Sequence, residues 1–390
     1  MNKSRTTRRK VLKILSSAAA VISLPLQVRS TESVIVVKIG HIQSLSGPSS
    51  PYGIRARDGA TFAMNEINRA GGFTDKNNNK YVIEILEGDM VNDPKQAVIL
   101  FRQHALDPTV VASIGPTNSL GFLPCIPAAA QFKLPLVSNG SGAPVKQWTP
   151  WAYRVNPEAS TVTPIFIKTV VKTLGIRRLA VIFDQTQDAQ TGDARITKKL
   201  AEKIGYEVVS YEAFRSSDQD FSPQLTNVRI KKPDAIFVAA TTGDGVRIVM
   251  QLREMGINIP LLTGYGAFFD PVYWDATNGK IKDCYTWLAQ DPNRTDSTFR
   301  QWLDEYNRTF KLEATSFSMH GYDAVYTIIE CIKQANGTDR SAIQKKLSSL
   351  NFISPIGTRI SFKNPPHGNN LNPSITIMKI SGRASGQSIL

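Results

Sequence analysis

Eight short, apolar, β-branched runs fall into two sets of four, helix-length segments separate the runs, and one proline-containing stretch parts the sets. On these three observations the sequence predicts an α/β fold: two Rossmann-like lobes, each a doubly wound, mainly parallel sheet, joined by a multi-strand hinge. Most of the runs are apolar on both faces, as parallel strands covered by helices on each side require. Alternation of strand and helix implies right-handed crossovers.

The first set comprises 34–42 (VIVVKIGHI), 81–89 (YVIEILEGD), 110–116 (VVASIGP) and 134–139 (LPLVSN). After its first run, SLSGPSSPYG (44–53) reads as a loop and IRARDGATFAMNEINRAGG (54–72) as a helix. PKQAVILFRQHALD (94–107) is a second helical segment. The second set comprises 178–184 (RLAVIFD), 206–214 (YEVVSYEAF), 234–240 (DAIFVAA) and 260–266 (PLLTGYG). GDARITKKLAEKIG (192–205) is helical and closes on Gly205 as a C-cap. Between the sets, WTPWAYRVNPEAST (148–161), with Pro150, Asn156 and Pro157, reads as a crossing from one lobe to the other. Later strands are expected at 283–289, 357–362 and 374–380, and these can rejoin either sheet. The expected division is an export signal at 1–30, one lobe from 34–155 plus 288–352, and the other from 156–287 plus 353–390.

A chain of 390 residues, 42% apolar and 20% charged, fits a multidomain globular protein and excludes disorder or a membrane bundle. Its formal charge of +14 is partly terminal: residues 1–30 carry seven cations and no acid. No dense basic run with interleaved aromatics follows, so no nucleic-acid partner is expected. The basic start precedes ILSSAAAVISLPL (14–26), 13 residues that are too short to span a bilayer and suit the apolar core of an export signal. TRRKVLK (7–13) resembles the twin-arginine export pattern, with Val11 where that pattern prefers Phe; an ordinary secretory signal is the alternative. Either route leads to the periplasm. The three cysteines, Cys125, Cys284 and Cys331, include no C-x-x-C and allow at most one disulfide, with the pairing open.

In doubly wound sheets, ligands sit beyond the carboxyl ends of the strands. Those ends here are 44–53, 115–121, 138–144, 183–193, 239–245 and 263–271, rich in Ser, Thr, Asn, Gly and Tyr and poor in charge. Such groups hydrogen-bond a small polar molecule and are poor at activating water or a nucleophile. No G-x-G-x-x-G follows a strand, and neither G-x-x-x-x-G-K-[ST] nor G-x-S-x-G occurs. His41, His104, His320 and His367 are scattered without metal-ligand spacing. Asp184 or Asp188 could serve as a general base, although an isolated Asp after a strand is commonly a helix cap. Neither an enzyme nor a metal or cofactor site is expected.

The same stretches carry a resemblance. IGHIQSLSGPSSPYG, GATFAMNEINRAGG, GDMVNDPKQAV, SIGPTNS, LPLVSNGSGAP and DFSPQLTNVRIKKPDAIFVAA follow one another as in the type I periplasmic binding proteins. The chain is most similar to their leucine/isoleucine/valine-binding branch, which serves ABC importers. The resemblance implies a receptor that closes two lobes on a small ligand and presents it to an inner-membrane permease. It implies ligand contacts at Tyr52, an aromatic over the ligand, and at Ser119 with Asn118 and Thr117 beside it, at the carboxylate. It also implies a backbone contact at Gly140. Gly142 stands where the family has a Thr, so Ser141 or Asn139 is expected to take that role. Asp184 and Thr241 close the set from the second lobe. Tyr265 stands where amino-acid-binding members carry the acid that pairs with the ligand's ammonium, which points to an amide, a carboxylate or an aromatic acid unless Asp184 compensates. A monomer is expected. A sensory module that signals to a kinase or chemoreceptor is the alternative function.

Overall fold

The computed structural model describes residues 34–389 apart from Ser217, Gly266, 363–367 and 371–373. The expected export signal and its twin-arginine motif, and His367, lie outside the described residues. The first lobe is built in chain order from β1 (Val34–Gln43), α1 (Ser50–Arg69), β2 (Phe73–Thr74), β3 (Lys80–Asp89), α2 (Pro94–Leu106), β4 (Val110–Ile114), α3 (Ser119–Phe132), β5 (Leu136–Ser138) and β6 (Ala152–Arg154). Its sheet order is β2-β3-β1-β4-β5-β6, parallel throughout except for the edge strand β2.

The second lobe follows with α4 (Ala159–Leu174), β7 (Arg178–Asp184), α5 (Asp188–Ile204), β8 (Glu207–Phe214), α6 (Ser222–Lys231), β9 (Ala235–Ala239), α7 (Thr242–Glu254), β10 (Leu261–Thr263), α8 (Pro271–Ala276) and β11 (Tyr285–Leu288). The chain then returns to the first lobe through α9 (Ser297–Phe310), α10 (Ser316–Ala335), α11 (Arg340–Leu347) and a ribbon of β12 (Asn351–Ile353) and β13 (Arg359–Ser361). It ends on the second sheet as β14 (Thr376–Gly382) and β15 (Ser385–Ser388), giving the order β15-β14-β11-β10-β9-β7-β8. β14 and β15 are the antiparallel members.

Strand alternation divides each lobe's core between the two faces of its sheet. Along β7, Leu179, Val181 and Phe183 pack with α4 residues such as Phe166. Ala180 and Ile182 face the other way, against Leu225 and Ile248. In the first lobe, α1 and α10 lie against one another at two glycines. A Cβ on Gly59 would meet the Ser318 carbonyl, and one on Gly321 would meet the Ala56 carbonyl. Only glycine permits this approach.

Several details differ from the sequence reading. α1 begins at Ser50, with Pro51 in its first turn, so the end of the expected loop is already helix. β6 lies inside the stretch read wholly as a crossing. The ribbon, expected in the second lobe from 353 onward, puts Ile356, Ile360 and Phe362 into the first lobe's core, where Phe362 meets Tyr153 at 5.1 Å between ring centroids. All three cysteines are unpaired and buried in different clusters. Among the described residues, no helix is long and apolar enough to cross a membrane.

Candidate functional site

The carboxyl ends of both sheets face each other across a cavity of about 100 Å³. At about 10–15 Å³ per water, this holds a compact solute rather than a nucleotide or peptide. The first lobe lines it with Ser49, Tyr52, Thr117, Asn118, Ser119, Gly140, Gly142 and Phe317, and the second with Gln187, Gln190, Asp193, Thr241, Tyr265 and Trp287, among others.

On the first wall, Asn118 caps α3 by accepting from the Gly121 N–H at 3.0 Å, while its amide donates to Ser44 at 3.0 Å and Asn92 at 3.1 Å. Ser119 Oγ lies 2.9 Å from Ser141 Oγ and accepts from the Ala143 N–H at 3.1 Å. Gly140 is required by packing, because a Cβ there would meet Thr117 Cγ2. Tyr52 sits in the first turn of α1 with its ring 4.7 Å from that of Phe317. Burial pushes its phenol up to about 12, with Thr242 of the other lobe beside it pulling the other way.

On the second wall, Thr241 is the N-cap residue of α7 and its hydroxyl donates to Asp244 at 3.1 Å. Tyr265 follows β10 with a left-handed backbone, φ +45°, unusual for a residue other than glycine. Its ring meets Phe317 edge-on at 4.6 Å, Trp287 at 4.8 Å and His320 in a parallel stack at 5.9 Å. Its buried hydroxyl has no hydrogen-bond partner. Asp193, on α5, accepts from Thr163 Oγ1 at 2.6 Å, and burial lifts its carboxyl to about 6 against that bond.

Charge around the cavity follows from the helices. α1, α3, α4, α5 and α7 each begin at the lining. Their N-termini present partial positive charge to an anion. Among the described residues, Asp193 is the one carboxylic acid on the lining, which holds no Lys, Arg or His. The lobes are held together beside the cavity by Arg55 of α1 and Asp270, the N-cap of α8, at 3.4 Å and both buried.

Six of the nine residues singled out from sequence line the cavity: Tyr52, Asn118, Ser119, Gly140, Thr241 and Tyr265. Three do not. Asn139 is buried beneath it, accepting from Gln43 at 3.1 Å and Thr117 at 2.8 Å. Ser141 is buried, its carbonyl held by Arg154 at 3.0 Å and Asn156 at 2.7 Å. Asp184 is buried at the end of β7, spent on the N–H of Thr186 at 2.8 Å and on the hydroxyls of Thr186 and Ser216. It closes a turn and offers no compensation for the absent acid at Tyr265. Sequence reasoning missed Asp193, Trp287 and Phe317. Asp193 was legible as an acid one turn before the buried Thr197 on the same helix face.

Among the described residues, no three His, Cys, Asp or Glu side chains stand close enough to hold a metal. Burial keeps His41 and His320 at about 3 and His104 at about 4, hence neutral.

A family model described as "Periplasmic binding protein" matches residues 36–386. The Leu/Ile/Val-binding protein homolog 1 of Brucella abortus is 26% identical over 313 residues, 78% of this chain and 80% of that protein. A leucine-, isoleucine-, valine-, threonine- and alanine-binding protein of Pseudomonas aeruginosa is 22% identical, over 82% and 84% of the two chains. Among solved structures, the branched-chain amino acid transporter substrate-binding protein LivJ of Streptococcus pneumoniae, in complex with isoleucine, superposes with a TM-score of 0.80 at 22% identity, covering 91% of this chain and 99% of its own. A solute-binding protein of Rhodopseudomonas palustris BisB5, in complex with 3,4-dihydroxybenzoic acid, gives 0.79 at 20% identity, covering 90% and 95%.

Proposed function

Because the chain belongs to the periplasmic binding protein family, which binds solutes and is not enzymatic, we propose that it is the extracytoplasmic receptor of an ABC importer. It captures one small organic solute between its closing lobes and presents the closed form to a membrane permease. The observation that carries this reading is the cavity itself: small, set between the two sheets, and lined by helix N-termini from both lobes. In this reading Asn118, Ser119 and Gly140 receive a ligand carboxylate, and Tyr52 and Tyr265 cover its organic part. Thr241 completes the wall from α7. The ligand-binding names among the relatives support capture over conversion.

The test is a thermal-shift and calorimetry screen of the exported protein, dialysed free of solute, against amino acids, amides and aromatic acids. A bound solute at a hundredfold excess over Kd adds about 2.7 kcal/mol. The expected result is one chemical class that raises the Tm by several degrees and lowers the radius of gyration in solution scattering. A screen in which no solute does either, or in which a solute is chemically altered, would overturn the reading.

A further inference from the structure

The acid that the β10 loop lacks at Tyr265 is offered beside that loop by a neighbouring helix of the same wall. Asp193 enters from α5 and lines the cavity. Its Oδ1 is anchored by Thr163 of α4 at 2.6 Å. Gly264 makes room for the other oxygen: a Cβ there would stand 2.9 Å from Asp193 Oδ2 and 3.8 Å from Trp287 Nε1. No ion pair among the described residues reaches it, the nearest cation on its own helix being Arg195, whose side chain lines a different groove. Thr163, Gly264, Tyr265 and Trp287 are the groups beside it, and of these only Tyr265 titrates; burial keeps that phenol protonated. A carboxylate in a cleft otherwise ringed by helix N-termini is electrostatically isolated, so the cavity has one negative point on a positive surround.

Resting on the receptor reading above, we infer that Asp193 determines specificity by pairing with a protonated amine on a ligand whose carboxylate faces the α3 N-terminus. The ligand class is therefore zwitterionic, and the aromatic wall of Tyr52, Trp287 and Phe317 takes its apolar part. Binding such a ligand requires Asp193 ionised. Burial lifts its carboxyl to about 6. Affinity for the amine then rises about tenfold from pH 5 to pH 7 and flattens above.

The experiment compares wild type with Asp193→Asn by calorimetry on matched pairs: L-leucine against 4-methylpentanoate, L-phenylalanine against 3-phenylpropionate, and 4-(aminomethyl)benzoate against 4-hydroxybenzoate. The expected result is at least one pair whose amine binds wild type more than tenfold tighter than its partner, a preference that Asn abolishes together with the pH dependence. Equal or tighter binding of the deamino or phenolic partner, or a preference that survives in the variant, would overturn it. A ligand-free arm separates this inference from the receptor reading. Protonated Asp193 is favoured by the fold, so its stabilisation is present at low pH and lost as pH rises through about 6. Asp193→Asn should therefore gain Tm relative to wild type between pH 5 and pH 8. A variant that shows this gain while wild type binds no member of the panel counts against the receptor reading. Solute binding by wild type without that gain counts against Asp193.

Discussion

Asn118 closes the first turn of α3 and ties that turn to Ser44 and Asn92. Asn118→Ala should cost about 1 kcal/mol in urea denaturation, the usual worth of a cap, whereas Asn118→Asp should keep most of it. Behind Tyr265, Asp323 is buried 3.9 Å from the neutral His320; Ser354 and Thr358 face it, yet neither of its oxygens accepts a hydrogen bond of ordinary geometry. Burial lifts it to about 7, so its stabilisation is whole at low pH and is lost as pH rises toward neutrality. Asp323→Asn should gain on wild type in denaturation between pH 4.5 and pH 7.5. Residues at strand ends could be read from sequence because the doubly wound topology fixes where those ends go, which is how Tyr52, Asn118, Ser119, Gly140, Thr241 and Tyr265 came to be grouped. What sequence could not give was direction. Asp184 turns back to cap its own loop. Asp193, a turn and a half into a helix, reaches the cavity only because α4 supplies Thr163 and the β10 loop supplies Gly264.

At the scale of elements, α1 and α10 approach at Gly59 and Gly321, each against a carbonyl of the other helix. Neither carbonyl can swing aside as a side chain would. Gly59→Ala or Gly321→Ala should destabilise the fold by about 1–3 kcal/mol, or more if the helices cannot part, as measured by chemical denaturation. The long β-branched runs were legible because their apolar residues cover both faces of a parallel strand. β2, β6, β12 and β15 were not, being two to four residues long and set at sheet edges or in the ribbon. For strands this short, pairing comes from the neighbours already in place: β6 is registered by β5, with Val137 opposite Tyr153. Nothing in their own composition announces it.

For the molecule as a whole, Arg55 and Asp270 pair across the two lobes out of water. Removing one partner of a buried pair leaves the other uncompensated, which costs about 3–5 kcal/mol unless water returns. In the receptor reading the lobes part and admit it. Arg55→Ala should therefore enlarge the ligand-free radius of gyration and weaken solute binding at least tenfold, with a smaller effect on the Tm than a core substitution; unchanged scattering would count against a latch. The chain passes between lobes three times, at 155–158, at 289–296 and between β13 and β14. The first and third passages are stitched side by side, Arg154 N–H to the Gly368 carbonyl at 2.8 Å and Asn370 Nδ2 to the Val155 carbonyl at 2.9 Å. No contiguous stretch of the sequence thus encodes either lobe. A protease that severs one passage would yield two bands on a denaturing gel from a particle that still migrates as one under native conditions, and neither half could be expressed alone by simple truncation.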